Sequence, residues 1–244
     1  MALPKIDVPI YTVDLLSTGK PVRFRPFTVK EEKLFLMTNE TDDVKSMLDT
    51  TKQVLNNCVL DEIDVENLPM FDIEKLFLNI RARSVGEVVN LKYKCNNSIK
   101  NEKEEEVKCG NLVDVDVNVL EIKPLENKNH SKKIVITENV GVVMKYPSFK
   151  LFENINVQDN SESILEMAIN CIDYIYDKDN LYYAKDTPKE ELIDFVDSLQ
   201  SKDLEKIKDF FVTMPKLQKN VKFKCNKCGY DENINIEGIE SFFV

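Results

Sequence analysis

The sequence predicts an α+β protein built from two related halves, residues 1–122 and 123–244. Three observations predict it. Short β-rich runs alternate with longer segments of helical periodicity. The same order of segments returns in the second half, which is the mark of an internal duplication. Each half also carries one signature, an aspartate-led amphipathic helix and then a strand running into a cysteine: DIEKLFLNI before LKYKC, and DLEKIKDFF before VKFKC.

The first half opens on YTVDLL and PVRFRPF, β-rich runs separated by Ser17-Thr18-Gly19-Lys20, which reads as a hairpin between Ile10 and Phe27. A helix is expected from Val29. A second is expected from about Asp42 to Leu60, where Leu48, Thr51, Leu55, Cys58 and Val59 recur on one stripe. After the turn at Asn67-Leu68-Pro69, FDIEKLFLNIRARS reads as a helix capped by Asp72, with Ile73, Leu76, Phe77 and Ile80 buried. The period then changes to VVNLKYKC, a strand ending at Cys95.

The second half repeats this. KIVITENVGVVMKYPSF supplies two strand-like runs about Asn139-Val140-Gly141, and Pro147 follows the second as Pro26 does in the first half. A helix from about Ser161 is expected to carry Ile164, Ala168, Cys171, Ile172 and Ile175, placing Cys171 where Cys58 stands. KCGYDENINI matches KCGNLVDVDV. Loop lengths differ: DKDNLYYAKDTPKEE reads as a longer connection, and NNSIKNEKEEEVK, whose acidic NEKEEEVK is expected to be a solvated surface loop, stands where the other knuckle has only NK.

Cys225-Asn-Lys-Cys228-Gly has the spacing of a zinc knuckle, but a closed zinc site takes four ligands in a tetrahedron. The duplication supplies the missing two as Cys95 and Cys109. Loop closure cost grows only logarithmically with length, so the insertion between them does not bar both sulfurs from one ion. Cys95, Cys109, Cys225 and Cys228 are therefore expected to hold Zn²⁺ in a structural four-cysteine site. Gly110 and Gly229 let the backbone pack close to the ion, and Lys92, Lys94, Lys108, Lys222, Lys224 and Lys227 offset its thiolate charge. Cys58 and Cys171, on apolar stripes, are core thiols and not ligands.

Composition excludes much other chemistry. A net charge of −10 argues against a protein that grips phosphate backbones. No apolar run approaches a membrane span, and MALPKIDVPIY lacks the layout of a signal peptide, so a reducing cytoplasm is expected. The single histidine, His130, reads as a solvated loop side chain, which removes Ser-His-Asp and multi-histidine metal chemistry. With no glycine-rich phosphate loop and no open coordination position, no enzyme is expected; a metal-dependent hydrolase would need one cysteine unligated. In the terminal SFFV, Phe242 and Phe243 are expected to be buried anchors.

RPFTVKEEKLFLM and VLNNCVLDEIDVENLPMFDIEKLFLNIRARSVGEVVNLKYKC, with the ending IEGIESFF, resemble the baseplate hub subunit and hub assembly proteins of T4-like contractile-tailed phages. The resemblance implies a non-enzymatic role in building the baseplate hub, in the host cytoplasm during assembly or in the virion tail. Its partners would be other hub proteins and the tape-measure protein, whose apolar helices could be shielded by the amphipathic helices at 42–60, 70–83 or 188–213. Zinc is no part of the resemblance and rests on this chain's cysteines. The rival reading is a zinc-ribbon nucleic-acid-binding factor, which the acidic balance disfavours.

Overall fold

The computed structural model describes residues 6–39, 44–100, 104–125, 127–154 and 161–238. The expected burial of Phe242 and Phe243 and the expected helix start at Asp42 lie outside those residues. The chain is a mixture of helices and small antiparallel sheets, an α+β fold. It forms two compact units: residues 1–63, 74–124 and 217–244 make the first, and 64–73 and 125–216 the second.

In the first unit β1 (Tyr11–Asp14) and β2 (Pro21–Phe24) pair as the expected hairpin, with Tyr11 opposite Phe24. Gly19 closes the turn at φ 66°, a left-handed conformation that costs glycine little. Helix α1 (Val29–Asn39) follows. Thr28 and Glu31 cap its start: the Thr28 N–H and hydroxyl both donate to Glu31 Oε2, at 2.8 and 2.6 Å, and Arg25 Nη2 donates to Oε1 at 3.0 Å. Helix α2 (Val44–Cys58) buries Thr51, Val54, Leu55 and Cys58. It stops short of Leu60 because Cys58 O accepts the Arg25 N–H at 2.9 Å and Val59 bridges to Phe24.

Helix α3 (Met70–Ser84) contributes residues 74–84 to this unit, with Leu76, Phe77 and Ile80 buried. Its start departs from expectation. The helix begins two residues before Asp72, which lies fully buried in the first turn with its N–H bonded to Pro69 O, so it is not the capping residue. Strand β3 (Val88–Lys94) then pairs with β6 (Leu112–Asn118) over their whole length. Between them lies a minor hairpin, β4 (Ser98–Lys100) with β5 (Glu106–Lys108), so the expected acidic loop is partly paired strand. β7 (Lys123–Leu125) leads out.

The second unit holds a sheet of β8 (Lys133–Val135), β9 (Gly141–Met144), β10 (Ile172–Tyr176) and β11 (Leu181–Tyr183), in the order β11-β10-β9-β8. A Cβ on Gly141 would run into the Tyr176 ring and sit 2.6 Å from Ile134 O, so only glycine fits there. Helices α4 (Phe149–Asn154), α5 (Ser161–Asn170), α6 (Lys189–Asp197) and α7 (Ser201–Thr213) complete the unit. Its core gathers Val142, Met144, Ala168, Cys171, Ile172, Leu192, Val196, Ile207 and Phe210.

Four expectations fail in this unit. Ile172 and Ile175 belong to β10 and not to a helix, because IDYIY alternates β-branched and aromatic residues and β9 offers it an edge. The connection DKDNLYYAKDTPKEE contains β11. His130 is not a solvated loop side chain: its Nδ1 lies 3.0 Å from Thr213 Oγ1 and its Nε2 3.1 Å from Tyr146 Oη, with the ring against Tyr146 and Phe210. Asp203, like Asp72, sits in the first turn of its helix and not at the cap; it accepts from Lys206 Nζ at 2.8 Å.

The chain then returns to the first unit through β12 (Lys216–Lys224) and β13 (Asp231–Glu237), paired antiparallel in a sheet of order β13-β12-β7.

Candidate metal centre

Two hairpins of the first unit carry the four predicted ligands. In the β3–β6 hairpin, Cys95 N–H donates to Asn111 O at 2.8 Å and Gly110 N–H donates to Cys95 O at 3.0 Å. In the β12–β13 hairpin, Cys225 N–H donates to Tyr230 O at 2.8 Å and Gly229 N–H donates to Cys225 O at 2.8 Å. Gly110 and Gly229 have φ of 64° and 74°, the left-handed turn that lets the second cysteine face the first. The insertion between Cys95 and Cys109 does not open its knuckle. The β4–β5 hairpin returns the chain to its base, where Cys109 N–H donates to Asn97 O at 2.8 Å.

All four Sγ atoms lie within 4.8 Å of one another, and this is the one such ligand cluster among the described residues. Cys95 Sγ is 3.7 Å from Cys228 Sγ, and Cys109 Sγ is 3.9 Å from Cys225 Sγ. These separations are far too long for disulfides, and all four are free thiols. A tetrahedral Zn²⁺ with Zn–S of about 2.3 Å needs sulfur–sulfur edges of about 3.8 Å, and these two edges fit that ion. Cys95, Cys109 and Cys225 are buried and Cys228 is half-buried.

Backbone amides surround the sulfurs. The Asn97 N–H donates to Cys95, the Asn111 N–H to Cys109, and the Cys228 and Lys227 N–H groups to Cys225. These bonds compete with burial and with the neighbouring sulfurs, and the balance differs between Cys225, Cys95 and Cys109. The Cys228 and Lys227 amides, with the Cys228 and Cys95 thiols, bring Cys225 down to about 6 against the effect of burial. At Cys95 the Asn97 amide also favours the thiolate, but burial and the three neighbouring sulfurs push it up to about 12. Cys109 is likewise raised, by burial and by Cys228 and Cys225, against the pull of the Asn111 amide. Metal binding would release the remaining protons.

Sequence reasoning missed the asparagines. Asn97 Nδ2 lies 3.6 Å from Cys228 Sγ and Asn111 Nδ2 3.5 Å from Cys225 Sγ, each reaching from one hairpin to the other's sulfur. Asn111 Nδ2 also donates to Asn226 Oδ1 at 2.6 Å. The signal was present as an asparagine within two residues of Cys95, Cys109 and Cys225. Of the expected lysines, Lys227 Nζ reaches Cys109 O at 3.5 Å and Lys108 Nζ caps Asn96 O at 2.9 Å. Cys58 and Cys171 are fully buried in the helical cores, where burial pushes their thiols up to about 11 and about 12.

No helix of the described residues is long and apolar enough to cross a membrane. No curated protein and no solved structure matches the chain. The family model of the T4 bacteriophage base plate protein matches residues 8–244, nearly the whole sequence, and the chain belongs to that family.

Proposed function

We propose that this protein is a non-enzymatic component of the baseplate hub of a contractile-tailed phage, acting as a hub subunit or as a hub assembly chaperone, with one structural Zn²⁺ held by Cys95, Cys109, Cys225 and Cys228. Family membership supports the baseplate role, and the likeness of FDIEKLFLNIRARSV to hub proteins narrows it to the hub. The observation that carries the reading is the closed set of four sulfurs within 4.8 Å. Four thiolates leave no coordination position for substrate or water, so such an ion braces a scaffold and does not catalyse.

The hub's other proteins and the tape-measure protein are the expected partners. They would meet the chain in the host cytoplasm and, for a hub subunit, in the virion tail. Exposed apolar side chains on α1, Val29, Leu36 and Met37, offer one surface for shielding a partner's apolar helix. Co-expression of the chain with hub and tape-measure proteins, followed by pulldown and native mass spectrometry, tests both parts. One zinc per chain and a retained hub partner are expected; a metal-free chain that retains neither partner refutes the proposal.

We further propose that residues 1–122 and 123–244 descend from one duplicated α+β unit. Parallel details support it. Cys58 O accepts the Arg25 N–H at 2.9 Å, and Cys171 O accepts the Lys145 N–H at 2.8 Å. The next residue, Val59 or Ile172, bridges to Phe24 or Met144. The two cysteine hairpins share their backbone bonds and their left-handed glycines.

A further inference from the structure

The four sulfurs of the metal centre are unequally protected. Cys95, Cys109 and Cys225 are buried, and each accepts from the backbone: from Asn97, from Asn111, and from Lys227 and Cys228. Cys228 is half-buried, and the N–H group that reaches its sulfur belongs to a side chain, Asn97 Nδ2 at 3.6 Å. Asn226, Lys227, Gly229 and Tyr230 around it are all exposed. The glycines set the two knuckles further apart. A Cβ on Gly229 would meet nothing within 4 Å, whereas one on Gly110 would lie 3.6 Å from Lys94 Cε and 3.8 Å from Lys108 O. A lysine stem thus covers the first knuckle, and the second stands open beside Cys228.

With an ion bound, all four sulfurs are thiolates, so access and amide bonding rank their reactivity. N–H groups on a thiolate draw off its electron density, and burial keeps an oxidant away. Both single out Cys228 as the nucleophile. A sulfur oxidised there has a second thiolate at hand, because Cys95 Sγ lies 3.7 Å away on the other hairpin. The remaining two, Cys109 and Cys225, are themselves 3.9 Å apart across the same hairpins.

We propose, resting on the four-cysteine zinc site above, that Cys228 is an oxidation site and Cys95 its resolving thiolate, so that a peroxide exchanges the metal clamp for a disulfide between the hairpins. The Cys228 thiolate attacks one peroxide oxygen and breaks the O–O bond, giving a sulfenic acid and hydroxide. The Cys95 thiolate then attacks the Cys228 sulfur, forms the S–S bond and expels a second hydroxide. Each sulfur gives up one electron, and the two peroxide oxygens take them. Zn²⁺, left with two of its four thiolates, dissociates. A second equivalent of peroxide joins Cys109 to Cys225 in the same way. These bridges span residues 133 and 116 apart in sequence, so the oxidised chain keeps its hairpins joined by bonds that no chelator removes. A tail that leaves the reducing host cytoplasm meets the oxidant outside.

The zinc-loaded full chain, its metal content measured first, is treated with one equivalent of hydrogen peroxide beside a chromogenic chelator. Free thiols are then blocked and disulfides mapped by digestion and mass spectrometry. Release of the zinc is expected, with Cys95–Cys228 as the first disulfide and Cys58 and Cys171 still free. After a second equivalent, EDTA should no longer lower the Tm, and dithiothreitol should bring that sensitivity back. A first disulfide within one hairpin, Cys95–Cys109 or Cys225–Cys228, overturns the proposal, as does a loaded centre that keeps its zinc under peroxide. A chain that carries no zinc at the outset overturns the metal site itself, and the proposal with it.

Discussion

Tyr93 and Phe223 stack with ring centroids 6.1 Å apart and planes 20° from parallel. Each stands two residues before the first cysteine of its hairpin, so the stack joins equivalent positions of the two hairpins beside the cysteine cluster. The sulfur pairs are crossed instead: the first cysteine of each hairpin lies within 4 Å of the second of the other. The stack and the sulfur cluster thus join the same two hairpins, and Phe223 is 8% exposed. Phe223→Ala should cost about 3 kcal/mol of stability by leaving a cavity. Tyr93→Phe, which keeps the ring, should cost little. Urea unfolding of the metal-loaded variants measures both.

The asparagines that reach across to the sulfurs should tune the metal site. Asn111 donates to Cys225 Sγ and to Asn226, bonds that orient the ligand and disperse its charge. Asn111→Ala should weaken zinc affinity about 10-fold, read by competition with a chromogenic chelator. Cys109→Ser should abolish retention of the ion at the same chelator concentration, whereas Cys58→Ala should leave the metal content at the wild-type level.

How much of this was legible depended on range. The cysteine cluster could be read because the two hairpins repeat: LKYKC and VKFKC announce equivalent strands, and KCG announces the same left-handed turn. The β1–β2 hairpin and α1 were set by local turn and capping residues. Strand β11 was not legible, since LYY sits among turn-forming residues and becomes a strand only through β10 beside it. Ile172 and Ile175 satisfied helical spacing as well as strand alternation, and the edge of β9 decided between them. His130 looked solvated in ENKNHSKK because its partners Tyr146 and Thr213 are remote in sequence.

Glu31 should set part of the acid limb of stability. Burial alone would raise its pKa, but the bonds from Arg25 and Thr28 outweigh burial and hold the carboxyl at about 2, below its ordinary 4.5. A folded pKa below the unfolded one gives stability that is fully present above about pH 4.5 and lost as pH falls toward 2. Glu31→Gln should therefore cost about 1–2 kcal/mol near neutral pH, with solvent screening at half-open Arg25 reducing the full linkage value. The gap from wild type should shrink through that acid window. Urea unfolding at a series of pH values measures it, and a gap that stays constant would assign the cost to the lost helix cap alone.

The proposed duplication makes a demand on the first knuckle that can be tested directly. If the hairpins are equivalent, the insertion between Cys95 and Cys109 is dispensable, because the second knuckle closes the same turn with Asn226 and Lys227 alone. Replacing residues 96–108 by Asn-Lys should give a chain that folds and binds one zinc. The β4–β5 hairpin would go, and with it the Asn97 bond to Cys228 Sγ. The Cys95 to Asn111 and Gly110 to Cys95 backbone bonds would stay, as their counterparts do at Cys225. Losing one bond to a sulfur should weaken the metal about tenfold, while the shorter loop offsets part of that by lowering the entropy of closure. Native mass spectrometry reads the metal count and circular dichroism the fold. A folded chain without metal would mean that the two hairpins reach the cluster by different geometries, and kinship between the halves would then lose its strongest support.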